Sequence, residues 1–262
     1  MADRGTAAES AAGRLALVVA YDGTGYRGFQ WQPGWPTIQG DLELAWQRLT
    51  GRSERLVAAS RTDAGVHAWG QVVSLPRAGR ILLGSYCKGL NNELPPSIVV
   101  RYVVPVDGSF HARRSAESRR YRYSWLTGET SNPFLGRTAW YWRGMLDVEL
   151  MDGLARRLAR ELTPGAWAPG QRLLGASAWQ RGALVRFQVE ANYFMAHQVR
   201  SLAGALWWVG RGLCDPDEML CRLRRGLDGL PVLPAGGLCL MEVRYPGGVP
   251  LQAEGEDEDV LA

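Results

Sequence analysis

Runs with the period of a β-strand and runs with the period of a helix alternate along this chain, twice over. That alternation limits the possible folds more than any other feature. Residues 15–21 form an apolar strand-like run; Ile38, Leu42, Ala45 and Leu49 then fall at helical spacing behind Thr37, a candidate N-cap. Residues 56–59 and 71–75 read as strands, 82–90 as a short helix closed by Asn91, Asn92, Pro95 and Pro96, and 98–104 as a further strand. The second half repeats the rhythm. Aromatic and polar residues alternate over 120–125, residues 148–161 are amphipathic, and 184–191 are strand-like. Val199, Leu202, Ala203, Leu206 and Val209 mark one apolar helix face, and Asp215-Pro216-Asp217-Glu218 has the cap, proline and acidic residue of a helix start. A strand over 238–245 closes the pattern. Two mixed units of comparable size predict an α+β fold, with antiparallel sheets and helices packed on one face. The expected domains are 14–108 and 109–247, between a disordered segment 1–13 and an acidic disordered tail 248–262. No residue-level repeat links the halves.

The formal charge of +4 understates how basic the body is, because residues 252–262 hold Glu254, Glu256, Asp257, Glu258 and Asp259 and no cation. Without that tail 30 basic residues face 21 acidic ones, a net of +9, which suits a polyanionic partner. Lys88 is the only lysine; the other cations are Arg, which offers planar bidentate phosphate contacts and stacks on bases. Compositional bias explains the choice of Arg over Lys but not the excess of positive charge. Eleven Trp are many for this length, enough for both a core and a working surface where rings meet bases. Cys87, Cys214, Cys221 and Cys239 lack short metal-binding spacing, and only three His are present, so neither a zinc knuckle nor a disulfide framework is expected. Asp3, Arg4 and Glu9 precede an apolar run of only six residues, 15–20, which is not a signal-peptide pattern. The apolar stretch 202–210 is too short to span a bilayer. A soluble, cytoplasmic protein in a reducing compartment is the expectation.

Three stretches carry candidate chemistry. Residues 59–69, Ala-Ser-Arg-Thr-Asp-Ala-Gly-Val-His-Ala-Trp, set Asp63 in a polar loop beside Arg61, between two strand runs. An Asp before Ala-Gly commonly caps its own turn. A nearby guanidinium also keeps such a carboxylate ionised, the state that nucleophilic attack requires. His67 follows four residues on, but no further His or Cys lies near, so no metal site is expected. Arg113, Arg114, Arg119, Arg120 and Arg122 lead into Tyr121 and Tyr123, the make-up of an RNA-binding surface or of a solvated charged face beside a half-buried strand. His197 and Arg200 share one helix face, with Arg200 at the edge of the apolar stripe, where a rim cation reaches solvent. The Gly-rich stretch 21–31 contains neither GxxxxGK nor a GxGxxG behind a strand, which excludes those nucleotide-binding loops.

Taken together, these stretches resemble the tRNA pseudouridine synthase A family along residues 14–246. The matching segments are Tyr21-Asp-Gly-Thr-Gly-Tyr-Arg-Gly-Phe-Gln, Thr37-Ile-Gln-Gly-Asp-Leu-Glu, Ser60-Arg-Thr-Asp-Ala-Gly-Val-His-Ala and Leu90-Asn-Asn-Glu-Leu-Pro. Phe110-His-Ala-Arg, Arg119-Arg-Tyr-Arg-Tyr, Ala191-Asn-Tyr-Phe-Met-Ala-His-Gln-Val-Arg and Ala235-Gly-Gly-Leu complete them in order. The resemblance implies that Asp63 is the catalytic nucleophile, that Tyr121 stacks on the base, and that Arg200 pairs with the catalytic carboxylate. Arg61 matches the residue that splays the RNA; His67, Arg113, Arg114, Arg119, Arg120, Arg122 and His197 are the accompanying candidates for RNA contact. It further implies two ferredoxin-like halves whose sheets join around a basic cleft, a homodimer, no cofactor or metal, and action on uridines 38 to 40 of the tRNA anticodon stem-loop. Two departures stand out: the family's Asp-Phe-x-x-Phe segment and longer loop are replaced by a shorter 162–170 containing Trp167, and Ser60 stands where many members have Gly.

Two other readings compete. A catalytically silent RNA-binding or tRNA-folding protein would keep the scaffold without needing Asp63. A metal-dependent phosphohydrolase would use Asp22, Asp63 and His67 together. The acidic tail either solubilises the chain or mimics RNA in the basic cleft.

Overall fold

The apolar and alternating runs become the strands of one nine-stranded sheet in a computed structural model that describes residues 13–79, 81–162 and 165–248. The expected disordered N-terminus and nearly all of the acidic tail lie outside the described residues. In chain order the elements are β1 (Arg14–Tyr21), α1 (Ile38–Thr50), β2 (Val57–Ala58), β3 (His67–Pro76), α2 (Leu83–Glu93) and β4 (Ile98–Val106). Then come β5 (Ser118–Gly128), β6 (Trp140–Arg143), α3 (Val148–Glu161), β7 (Leu173–Arg181), β8 (Leu184–Ala191), α4 (Gln198–Gly210), α5 (Pro216–Arg225) and β9 (Leu238–Arg244).

The sheet runs β4-β1-β3-β9-β5-β8-β7, with β2 also on β3 and β6 also on β5. With β6 set aside, each half has the same order. The fourth strand lies beside the first, then the third, then the second: β4-β1-β3-β2 and β9-β5-β8-β7. The halves therefore share a ferredoxin-like topology that no residue repeat announces. Within each half these neighbours are antiparallel. The antiparallel halves are as expected, and parallel pairing enters at two further places. The seam between halves is parallel, pairing His67 with Cys239 and Ala68 with Leu240, and β6 runs parallel to the end of β5.

Local chemistry sets the helix ends. Thr37 accepts the Gly40 N–H at 3.2 Å to start α1, and Gly51 ends it in the left-handed region. Asp147 and Asp215 cap α3 and α5 in the same way, accepting from Leu150 and Asp217. One continuous core joins Leu15, Leu17, Val73 and Leu75 of the sheet to Ile38, Leu42 and Trp46 of α1, with Trp46 stacked on Tyr86 of α2 at 5.5 Å. In the second half Tyr123, Trp125 and Phe187 pack with Met151, Leu154 and Leu158 of α3 in that core. Each such burial contributes roughly 1.5–3 kcal/mol. Trp140 and Trp142 hold β6 in place by edge contacts to Trp207 of α4 at 5.3 and 4.9 Å. In the shortened 162–170 region, Trp167 packs on the core and donates to the Leu223 carbonyl at 2.7 Å, so its ring is structural. No helix among the described residues is long and apolar enough to cross a membrane, and all four cysteines are free thiols.

Because Thr37 is buried and its hydroxyl satisfies an α1 amide, Thr37→Ala is expected to cost about 1 kcal/mol of unfolding free energy in a urea titration. A cost near zero would mean that the cap contributes nothing.

Candidate active site

The loop between β2 and β3 carries Asp63, and its neighbours clamp it on both flanks. The Thr62 carbonyl accepts the Phe29 N–H at 3.0 Å, and the Val66 N–H closes a turn on the Asp63 carbonyl at 3.1 Å. That turn needs Gly65 at φ +78°. Gly28, at φ +95°, lets the 22–37 segment press against the loop; a Cβ there would stand 2.8 Å from the Thr62 carbonyl oxygen. One transverse row of the sheet, Tyr21–Ala68–Leu240–Tyr121, points a hydroxyl at each side of the loop. Tyr21 Oη lies 2.8 Å from Thr62 Oγ1, and Tyr121 Oη lies 2.8 Å from Ser60 Oγ. Gln71, with no exposed surface, ties the two sides together. Its Nε2 donates to the Ser60 carbonyl at 2.7 Å and to Tyr21 Oη at 3.3 Å, and its Oε1 accepts the Ser60 N–H at 3.2 Å.

Asp63 faces the start of α4. Its Oδ2 lies 3.5 Å from Arg200 Nη1 and 3.6 Å from His197 Nε2. Arg200 is aimed by the bond from its Nε to the Leu233 carbonyl at 2.6 Å. His197 occupies the N-cap position at φ +61°, the one left-handed non-glycine among the described residues, a conformation that costs energy and clusters at working sites. No acidic side chain lies in the first turn of α4, so the positive helix end adds to the field at Asp63. Tyr121 is 6 % exposed, meets Phe194 edge-on at 5.3 Å, and borders with Asp63 a cavity of ≈ 970 Å³. Burial pushes the Tyr121 phenol up to about 12 against the opposing bond from Ser60, and the Asp63 charge adds to the rise.

Arg61, Arg113, Arg114 and His197 line the same cavity, and an adjoining hollow of ≈ 400 Å³ contains Asp63 and Arg200. His111 Nδ1 accepts the N–H groups of Arg113 and Arg114 at 3.3 and 3.2 Å and so shapes the turn that presents both guanidinium groups. Burial, with Arg114 beside it, holds the His111 pKa down.

The remaining expected RNA contacts lie elsewhere. His67 is buried beneath the loop, its Nδ1 accepting the Gly23 N–H at 3.1 Å beside Asp22. Arg119 touches the cavity wall, yet its donors are bound to the carbonyls of Ala59, Arg113, Ala116 and Asn192 at 2.6–3.3 Å. It braces three loops, and burial lowers its pKa. Strand pleating sends Arg120 and Arg122 to the face opposite Tyr121. There Arg120 pairs with Glu242 at 2.7 Å, and Arg122, 3 % exposed, donates to Gln188 at 3.2 Å and lies 5.4 Å from the Trp179 ring. Asp22 and His67 meet each other while Asp63 meets Arg200, so the proposed phosphohydrolase trio is not assembled. Among the described residues no three His, Cys, Asp or Glu side chains group as a metal ion would require. Sequence reasoning missed Gln71, Tyr21 and Thr62; a Gln inside the apolar run 71–75 was the available signal, since a buried amide must be bonded.

A carboxylate held between an arginine and a histidine, at the seam of two like half-sheets and under an Arg-rimmed cavity, defines an enzyme site built for a polyanion. A family model for tRNA pseudouridine synthase matches residues 17–113 and 169–246. A tRNA pseudouridine synthase A of Roseiflexus castenholzii is 40% identical over 245 residues, covering 88% of this chain and 90% of that protein. Proteins of the same name are 39% identical in Chloroflexus aurantiacus, over 90% of both chains, and 35% identical in Aeromonas hydrophila, over 89% of this chain and 90% of that one. This chain belongs to the tRNA pseudouridine synthase family.

Two measurements probe the site's construction. Arg119→Met leaves buried carbonyls on three loops without donors and is expected to cost roughly 3 kcal/mol in chemical denaturation; a cost below about 1 kcal/mol would remove its bracing role. The raised phenol pKa of Tyr121 means that folding favours the protonated ring. Its contribution is full below pH 10 and is lost as pH rises from 10 towards 12. Unfolding free energies of wild type and Tyr121→Phe, compared from pH 8 to 11, should therefore converge by about 1 kcal/mol or more in the alkaline half; parallel profiles would contradict the buried, neutral phenol.

Proposed function

We propose that this protein isomerises uridine to pseudouridine in the tRNA anticodon stem-loop, at positions 38 to 40, with Asp63 as the nucleophile. Membership of the family makes the chain an isomerase acting on tRNA. The observation that carries the finer reading is the placement of Asp63 Oδ2 between Arg200 at 3.5 Å and His197 at 3.6 Å, in a cavity also bordered by Tyr121.

The chemistry accounts for these residue types. The C1′–N1 bond breaks, the uracil turns and C1′ joins C5, while C5 loses its proton and N1 gains one; there is no net oxidation or reduction and no group is imported, so the balance calls for neither cofactor nor metal. A stacked base must first leave the helix, at a cost of a few kcal/mol. Arg61, Arg113, Arg114 and His197 would hold the displaced strand by its phosphates, and the ring of Tyr121 would receive the base. Arg200 would hold Asp63 in place while it attacks C6 of the uracil or C1′ of the ribose, or assists loss of the C2′ proton. His67, Arg119, Arg120 and Arg122 have no direct part in this scheme. The protein would work as a homodimer in the cytoplasm.

The test is pseudouridine content, by mass spectrometry, of an unmodified tRNA bearing uridines 38, 39 and 40 after incubation with wild type or Asp63→Ala. Conversion by the wild type is expected, and a loss of at least about 10³-fold in the variant with tRNA affinity kept within a few fold. Full turnover by Asp63→Ala would exclude the nucleophile. Tight binding without conversion by the wild type would leave a silent tRNA-binding scaffold.

A further inference from the structure

Beside the main cavity lies a second depression of ≈ 440 Å³. Trp31, Gln39 and Arg55 form its outer wall, and Arg61, His111 and Arg113 form a rim that it shares with the main cavity. Trp31 is 45% exposed although the Arg55 guanidinium carbon lies 4.9 Å from its ring centroid. Trp35, on the same segment, is 54% exposed with Arg27 at 4.3 Å. Neither ring belongs to the core, so folding gives no reason for two open indoles four positions apart.

The wall is also fixed in advance. The Trp31 backbone N–H donates to Gln39 Oε1 at 2.9 Å, and Gln39 Nε2 donates to Glu43 Oε1 at 2.7 Å. Glu43 accepts the Leu56 N–H at 3.1 Å and holds Arg55 at 2.9 Å. An indole with a guanidinium over one face, amide groups within reach, and a cationic rim together match the needs of one unpaired nucleotide: the other face for the base, polar groups for its edge, cations for its phosphate.

We propose that this depression is a second nucleotide subsite, which seats an unpaired base of the RNA other than the reacting uridine on Trp31, with its phosphate at the Arg61–Arg113 rim. The proposal rests on the tRNA reading above and adds a binding site to it. Seating a second base would keep the strand splayed while its neighbour occupies the catalytic cavity.

The test uses full-length wild type, Trp31→Ala and Trp31→Phe with an unmodified tRNA transcript, comparing KM and kcat for pseudouridine formation and the tRNA Kd across a salt series. Trp31→Ala is expected to raise KM and Kd about tenfold, the size of one lost base stack, with kcat within twofold. Trp31→Phe should recover most of the loss, and the salt slope should not change, because no phosphate contact is removed. Thermal melting of each variant checks that the fold is intact. A KM and Kd within twofold of wild type for Trp31→Ala overturns the subsite, as does a fall in kcat at unchanged KM. If the wild type itself converts nothing, the proposed reaction fails, while the binding arm still decides whether Trp31 holds RNA.

Discussion

The outer edge of β3 has two claimants, and the division of that edge shapes the rest of the molecule. β1 pairs along nearly all of the other edge. On the outer side β2 takes residues 73–74 and β9 takes residues 67–68. A backbone group on one edge bonds one neighbour, so β2 must stop early and the halves can join only over a short parallel seam. Between the two claimants the sheet forks. The Asp63 loop leaves the sheet in that fork, and Ala59, at its root, still donates to the Val72 carbonyl at 2.8 Å. The carboxylate thus sits where the halves meet because the hydrogen-bonding capacity of one strand is divided there.

The fork alone would leave a mobile loop. The seam corrects this by putting Tyr21 and Tyr121 in the same transverse row, three strand spacings apart, or roughly 14 Å. The hydroxyls of both residues converge on residues 60–62 from opposite sides, and Gln71 bonds to Ser60 and Tyr21 at once. Arg119 adds a bond to Ala59 from the second half. The Asp63 loop is therefore held by groups from both half-sheets, and its geometry depends on their register. A slip at the seam would carry Tyr121 away from Ser60 and Arg200 away from Asp63 together.

What the sequence made legible follows from the range of the interaction concerned. The helix Val148–Glu161 and the strand Leu184–Ala191 fall where periodicity predicts, and Thr37 and Asp215 act as caps, because each depends on neighbours a few positions away. β6 and β7 carry no comparable signal: β6 is fixed by tryptophan contacts to α4, and β7 by pairing with β8. The cluster Arg113 to Arg122 shows the limit most clearly. Composition counts five cations near two tyrosines, whereas the turn at His111 puts Arg113 and Arg114 on the cavity rim and the pleat of β5 separates the buried brace Arg119 from Arg120 and Arg122 on the opposite face. The alternation of residues 118–128 already contained that division; the charge count hid it. The left-handed His197 had no local signal, since it is neither Gly nor Asn, the residues that usually adopt that conformation.

The state of Tyr121 constrains the last proton transfer of the proposed reaction. With its pKa pushed up to about 12, roughly one ring in 10⁵ is a phenolate at pH 7, and supplying it as a base would cost about 7 kcal/mol. A general base works best with a pKa near the operating pH, so the unliganded phenol is poorly matched to taking a proton from C5. A neutral, bonded ring is well matched to another task. Its hydroxyl is bonded to Ser60, its ring meets Phe194 in a T-shaped contact, and its side chain is buried. Those properties suit a rigid platform for a uracil while the carboxylate acts. The base that takes the C5 proton is better sought among the other groups that line the cavity than in the phenol above it.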